Sequence, residues 1–171
     1  KGLPNLLRHV ENITQVFKLP AVVAINRFPT DTEAELALVE AKCKELGANA
    51  VLSEVWGKGG EGGIALAEEV MRLCEQPNEF EYCYDDRLGI VEKIEAIAKR
   101  IYRADGVELV GNAIKQLKEL TDLGLDKMPI CMAKTQYSFS DNPKLIGAPD
   151  DFTLNVRDLK ISAGAGFIVA Y

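Results

Sequence analysis

The sequence predicts an α/β chain: a mostly parallel sheet flanked by helices in βαβ units, with a Gly-rich strand region at the C-terminal end. Three observations carry that expectation. Short, β-branched apolar runs alternate with stretches in which apolar residues recur at helical spacing. The runs are continuous, as strands buried on both faces read. Their lengths and order suit strand–helix–strand crossovers of the usual right hand.

Taken in order, Leu3, Leu6, Val10, Ile13 and Phe17 predict a first helix. Pro20 then introduces Ala21-Val22-Val23-Ala24-Ile25, a strand expected to be buried on both faces. Thr30 and Glu33 form a Thr-x-x-Glu capping box ahead of a helix with Leu36, Val39, Cys43 and Leu46 inward and Gly47 at its end. Ala50-Val51-Leu52 is the second strand. The glycine loop 57–63 leads into a helix whose expected buried face is Ala67, Val70, Met71 and Cys74. Phe80, Tyr82 and Tyr84 alternate as a short strand would. Ile90, Ile94, Ile97 and Ile101 mark another helix, and Val110, Ile114, Leu117 and Leu120 the next. Strand chemistry returns at 130–133 and 152–156. The expected organisation is an α/β domain over residues 1–150, followed by a strand-rich segment from 151 to 171. The chain opens inside a helical stripe without an initiator Met and stops in strand chemistry, so both ends are expected to be cuts in a longer chain.

Composition narrows the function. In 171 residues, 47% hydrophobic and 27% charged, a sizeable core can be buried, and disorder is not the expected state. Twenty basic residues against 26 acidic ones give a net charge of −6, with no basic stripe. A nucleic-acid partner, which needs phosphate neutralisation, is not expected. No apolar run spans a bilayer and no signal peptide is visible. Cys43, Cys74, Cys83 and Cys131 lack the spacing of a metal knuckle or redox pair, and buried thiols in a reducing cytoplasm are expected. His9 is the only histidine, and no metal site or Ser-His-Asp hydrolase is expected around it. Glu68, Glu69, Glu92 and Glu95 read as solvated helix faces.

In an open α/β sheet, ligands bind outside the carboxyl ends of the strands. That rule selects Asn26 to Pro29, then Ser53 to Trp56 with the glycine loop, and Lys134 to Ser138. Phe28 and Trp56 are either two rings a stacking distance from a flat guest or two caps closing the end of the sheet. Arg27, Lys58, Lys134 and Gln136 are the candidate cleft-lining residues. The loop resembles a phosphate loop in joining strand to helix with one Lys, but no Ser or Thr follows Lys58 and Glu61 opposes an anion. Asn26-Arg27-x-Pro29 is a distant echo of the Asn-Lys-x-Asp motif that reads guanine, with Asp31 two residues late.

The stretch Val22-Val23-Ala24-Ile25-Asn26-Arg27-Phe28-Pro29-Thr30-Asp31-Thr32-Glu33 closely resembles the formate–tetrahydrofolate ligases (10-formyltetrahydrofolate synthetases), bacterial type in detail. So do Leu52-Ser53-Glu54-Val55-Trp56, Pro129 to Ser138, and Ser162-Ala163-Gly164-Ala165-Gly166-Phe167. The resemblance implies a cytoplasmic ATP-dependent ligase of one-carbon metabolism. It forms 10-formyltetrahydrofolate from formate and tetrahydrofolate through formyl phosphate, with Mg-ATP, activation by a monovalent cation and a homotetrameric assembly. In that family a Phe and a Trp sandwich the pterin, which implies substrate-binding roles for Phe28 and Trp56, with Pro29 and Leu52 as neighbouring walls. The family's P-loop and catalytic Lys and Arg are expected N-terminal to this chain. No catalytic residue is therefore assigned, and the isolated chain is expected to be inactive. The alternatives are a non-catalytic folate- or nucleotide-binding module and an oligomerisation domain.

Overall fold

The computed structural model describes residues 2–133, 135 and 138–171. They fall into two compact units, 1–81 and 82–171. The parallel α/β character predicted from the sequence is present in both.

In the first unit, α1 (Leu3–Glu11) opens with Pro in its first turn and runs into a π-helical turn, Asn12–Val16. That wide turn inserts a residue into the apolar stripe. Val10 and Val16 are buried, whereas Ile13, expected inward, is 41% exposed. β1 (Val22–Asn26) and β2 (Asn49–Ser53) pair in parallel, from Val22 opposite Asn49 to Asn26 opposite Ser53. The expectation of burial on both faces is corrected: Ala24 and Asn26 are exposed, so one face of the pair stands open among the described residues.

The crossover helix α2 (Glu33–Glu45) is capped by Thr32 and Glu35 rather than by Thr30 and Glu33. Phe28 to Asp31 are held in a tight turn by Asp31 N–H donating to the Phe28 carbonyl at 3.0 Å. The helix therefore starts at the second of two overlapping Thr-x-x-Glu boxes. It ends as expected at Gly47, whose φ of 75° closes a Schellman motif with Gly47 N–H on the Lys44 carbonyl and Ala48 N–H on that of Cys43.

After β2 come a one-turn helix α3 (Val55–Lys58), a 3₁₀ segment Gly59–Gly63, and α4 (Ile64–Cys74). The glycine loop is thus built from helical turns. The inward face of α4 is Leu66, Glu69 and Leu73, and the residues expected to be buried, Ala67, Val70, Met71 and Cys74, are exposed. Glu69 is accommodated because its carboxylate accepts from Asn49 Nδ2 of β2 at 2.7 Å and from two nitrogens of Arg72, both at 2.7 Å. The expectation of buried thiols holds for Cys43 and Cys83 and is corrected for Cys74 and Cys131, which are exposed. The segment 80–84 is not a strand. Phe80 stacks on Phe17 with centroids 6.4 Å apart.

In the second unit, α5 (Ile90–Ile97) begins where the Glu92 carboxylate accepts the Gly89 N–H at 2.8 Å, so Glu92 caps rather than merely faces solvent. It continues as a π-helical turn, Ala98–Tyr102. β3 (Gly106–Leu109), with no counterpart in the sequence reading, pairs in parallel with β5 (Thr153–Val156). α6 (Ala113–Asp122) starts after Val110, which lies outside the helix. β4 (Ile130–Met132) pairs in parallel with β7 (Phe167–Ala170), which is also antiparallel to β6 (Leu159–Ser162). Ala98, Ala104, Phe152 and Leu154 form a buried cluster, and Ile90, Ile94, Val156 and Ile168 are also buried. Lys93 is fully buried; its ammonium donates to the Lys127 and Met128 carbonyls at 2.7 and 3.2 Å and lies 5.6 Å from the Tyr84 ring centroid. No helix among the described residues is long and apolar enough to cross a membrane.

Candidate functional site

The parallel pairing of β1 and β2 sets their carboxyl ends side by side, Asn26 against Ser53, and Arg27 N–H extends the ladder to the Ser53 carbonyl at 3.1 Å. Everything placed just beyond those ends is therefore brought together. Phe28 leaves β1 in a turn with Pro29 at its second position, where proline's fixed φ suits the backbone. The Phe28 N–H donates to the Asp31 carboxylate at 2.7 Å. Asp31, two residues late for a base-reading role, is a brace for this turn.

On the β2 side, Gly57 N–H and Lys58 N–H both donate to the Glu54 carbonyl, at 3.1 and 2.9 Å. This winds the single turn that presents Trp56. Gly62 folds back so closely that its carbonyl accepts the Glu54 N–H at 3.0 Å.

The two rings meet at this edge with centroids 6.3 Å apart and planes inclined by 49°. Phe28 is 45% and Trp56 68% exposed, so neither ring closes the core. They border an open cavity of about 240 Å³ with Arg27, Pro29, Glu54, Gly57 and Lys58. A flat guest between two parallel rings needs them about 7 Å apart, two ordinary carbon contact distances. The observed spacing is somewhat shorter and the planes are tilted, so the rings as they stand are not a parallel slot.

The charges at the cavity are matched. Arg27 Nη2 lies 2.5 Å from Glu33 Oε1, and Lys58 Nζ lies 2.6 Å from Glu54 Oε2. The hydrogen bond from Lys58, helped by the charges of Lys58 and Arg27, holds the Glu54 carboxyl below its usual range. Neither cation stands open for a phosphate, and α3 is too short to act as an anion-binding helix terminus.

Among the sequence-selected residues, Arg27, Phe28, Pro29, Trp56 and Lys58 converge on this cavity. Leu52 is half-buried within β2 opposite Ile25 and does not line it. Lys134 and Gln136 lie outside the described residues. Glu54 was selected only as part of the strand end 53–56, although its spacing of four from Lys58 is the signal of a helical ion pair. Among the described residues no cluster of three or more His, Cys, Asp or Glu side chains is arranged to hold a metal.

The carboxyl ends of the two parallel strands thus carry an exposed aromatic pair with paired charges around it. Comparison with known protein families independently matches residues 1–171 to formate–tetrahydrofolate ligase. That match runs through both units, and the chain belongs to the formate–tetrahydrofolate ligase family.

Proposed function

We propose that this chain supplies the folate-facing wall of an ATP-dependent ligase that makes 10-formyltetrahydrofolate from formate and tetrahydrofolate through formyl phosphate. The observation that carries the reading is the exposed Phe28–Trp56 pair over its open cavity. A pterin is flat and polarisable, and its two faces suit two rings. The cavity is smaller than the range of about 300–1,000 Å³ that encloses a whole drug-sized ligand. It takes the pterin and leaves N10, one methylene away, at the mouth, where an activated formyl group can reach it.

Pro29 is the near wall of that slot, and Leu52 supports it from within β2. Arg27 and Lys58 flank the slot as exchangeable ion pairs. The donor set here does not fit Mg-ATP: Lys58 is held by Glu54, no Ser or Thr follows it, and the described residues form no carboxylate cluster. Phosphorylation of formate, and the Mg and monovalent cation that serve it, are assigned to residues outside this chain, in a cytoplasmic homotetrameric parent. The 171-residue chain alone is accordingly inactive.

Trp56 is the only tryptophan, so intrinsic fluorescence reports the slot directly. Tetrahydrofolate should quench it saturably, and Phe28→Ala should weaken binding by about 1–3 kcal/mol, the usual worth of a ring stacked on a base. The chain should release no ADP with ATP and formate present. Quenching that is linear, or unaltered by Phe28→Ala, would remove the pterin from between the rings; formate-dependent ADP release would overturn the inactivity.

A further inference from the structure

The lining of the Phe28–Trp56 cavity contains one side chain able to accept a hydrogen bond, the carboxylate of Glu54. The backbone N–H groups around it are already engaged. That of Arg27 donates to the Ser53 carbonyl, that of Phe28 to Asp31, and those of Gly57 and Lys58 to the Glu54 carbonyl. Reading the edge of a guest therefore falls to side chains.

The Glu54 backbone is held on both sides, which fixes the root of its side chain. Its carbonyl anchors the single turn α3, and its N–H donates to the Gly62 carbonyl at 3.0 Å. At the tip, Oε2 accepts from Lys58 Nζ at 2.6 Å, whereas Oε1 accepts from no described residue. The side chain is 35% exposed, so a guest can reach it. The Lys58 hydrogen bond, with the charges of Lys58 and Arg27, holds the carboxyl below its usual range. At neutral pH it is therefore ionised and acts only as an acceptor.

The tip is an ordered array: an open acceptor oxygen, a second acceptor oxygen, and an ammonium 2.6 Å from that second oxygen. A 2-amino-4-oxopyrimidine ring carries the complement along one edge: an amino N–H, the ring N3–H, then a carbonyl oxygen. A carboxylate takes two neighbouring N–H groups in bidentate fashion. An ammonium has three donors, enough to serve both Oε2 and the ring carbonyl. A ring without the amino group leaves one carboxylate oxygen unmatched, and a site that pairs a polar group rejects the analogue lacking it.

We propose that Glu54 determines the specificity of this cavity, pairing both carboxylate oxygens with the amino and N3–H groups of a flat 2-amino-4-oxopyrimidine ring while Lys58 donates to the ring carbonyl. The inference builds on the reading of the cavity as a pterin site. A pterin carries this edge, and guanine carries the same one.

The test is a set of Trp56 fluorescence titrations with two matched pairs of compounds. One pair is tetrahydrofolate and its 2-desamino-2-methyl analogue; the other is guanosine and inosine, which lacks the same amino group. Within a pair the amino compound should bind about tenfold tighter, a modest value for a hydrogen bond to a charged group because the carboxylate is partly exposed. Glu54→Gln should bring that ratio to about one, since its amide sets an N–H against the amino group. Lys58→Met should weaken both members alike and leave the ratio near its wild-type value, which a merely structural role for Glu54 does not predict. The Glu54 side chain does not cap α3, so the variant should keep the unliganded Trp56 emission maximum. The wild-type ratio needs no variant and tests the proposal even where Glu54→Gln fails to fold. Saturation by the tetrahydrofolate pair alone assigns the edge to a pterin, and by both pairs to the shared chemistry. Saturation by guanosine alone, with the ratio lost in Glu54→Gln, keeps the role of Glu54 and removes the folate reading. Equal wild-type affinity within a saturating pair, or a ratio that survives Glu54→Gln, overturns the role of Glu54 and leaves the ring site standing. Absence of saturable quenching by either amino compound overturns both.

Discussion

At Gly62 an added Cβ would lie 2.5 Å from both the carbonyl carbon and the oxygen of Glu54. Backbone atoms cannot move aside as a flexible side chain can, so the turn carrying Trp56 must shift. Gly60, in the same segment, has nothing within 4 Å of such a Cβ. Gly62→Ala should therefore cost about 1–3 kcal/mol, the usual range for overpacking, and move the Trp56 emission maximum, whereas Gly60→Ala should do neither. Thermal melts and emission spectra of the two variants check this, and equal behaviour would mean that Gly62 does not position the tryptophan. The aromatic and cationic members of the site were legible at this scale, because a strand end followed by Phe28 or by Trp56 is a local pattern. The close approach of Gly62 to Glu54 was not, since seven glycyl and charged residues in a row do not reveal which glycine touches backbone.

Among the elements, α4 shows why periodicity alone misassigned a face. The helix carries apolar residues on more than one side, so Ala67, Val70, Met71 and Cys74 made as good a stripe as Leu66 and Leu73. What decides between them is Glu69, which the sequence places among solvated charges and the structure turns inward to Asn49 of β2. Its hydrogen bonds from Arg72 and Asn49 lower its pKa from 4.5 to about 2. A carboxylate depressed on folding contributes stability above its unfolded value, and that contribution is lost as pH falls through the window from about 4.5 to about 2. Glu69→Gln should accordingly remove part of the acid dependence of stability in that window and leave the curve above pH 5 nearly parallel. Urea midpoints at several pH values measure it, and an unchanged slope in the variant would show that Glu69 does not tie α4 to the sheet. The same limit applies to α1, where a π-helical turn rather than any single residue moves the stripe off Ile13, and to β3, whose four residues form a strand only because β5 lies beside them.

For the whole molecule, the alternation of strands and helices was enough to read the α/β class, because each crossover is local in sequence. The division at residue 81 depends on which side chains share a core. The first unit has a two-stranded parallel sheet with one face open, and such small sheets are marginal without further cover. The second gathers Ala98, Ala104, Phe152 and Leu154 into one buried cluster. The chromophores happen to separate along the same boundary: the single tryptophan, Trp56, is in the first unit, and all five tyrosines follow residue 81. Unfolding followed by Trp56 emission should then have a lower urea midpoint than unfolding followed by the tyrosine circular dichroism signal. Non-coincident probes are the mark of departure from two-state behaviour. Tetrahydrofolate bound between Phe28 and Trp56 should raise the tryptophan midpoint in proportion to the logarithm of its concentration, as linkage requires of a ligand that binds only the folded state. The tyrosine midpoint should follow only so far as the two units unfold together. Coincident transitions at every ligand concentration would show a single cooperative unit and sink the separation.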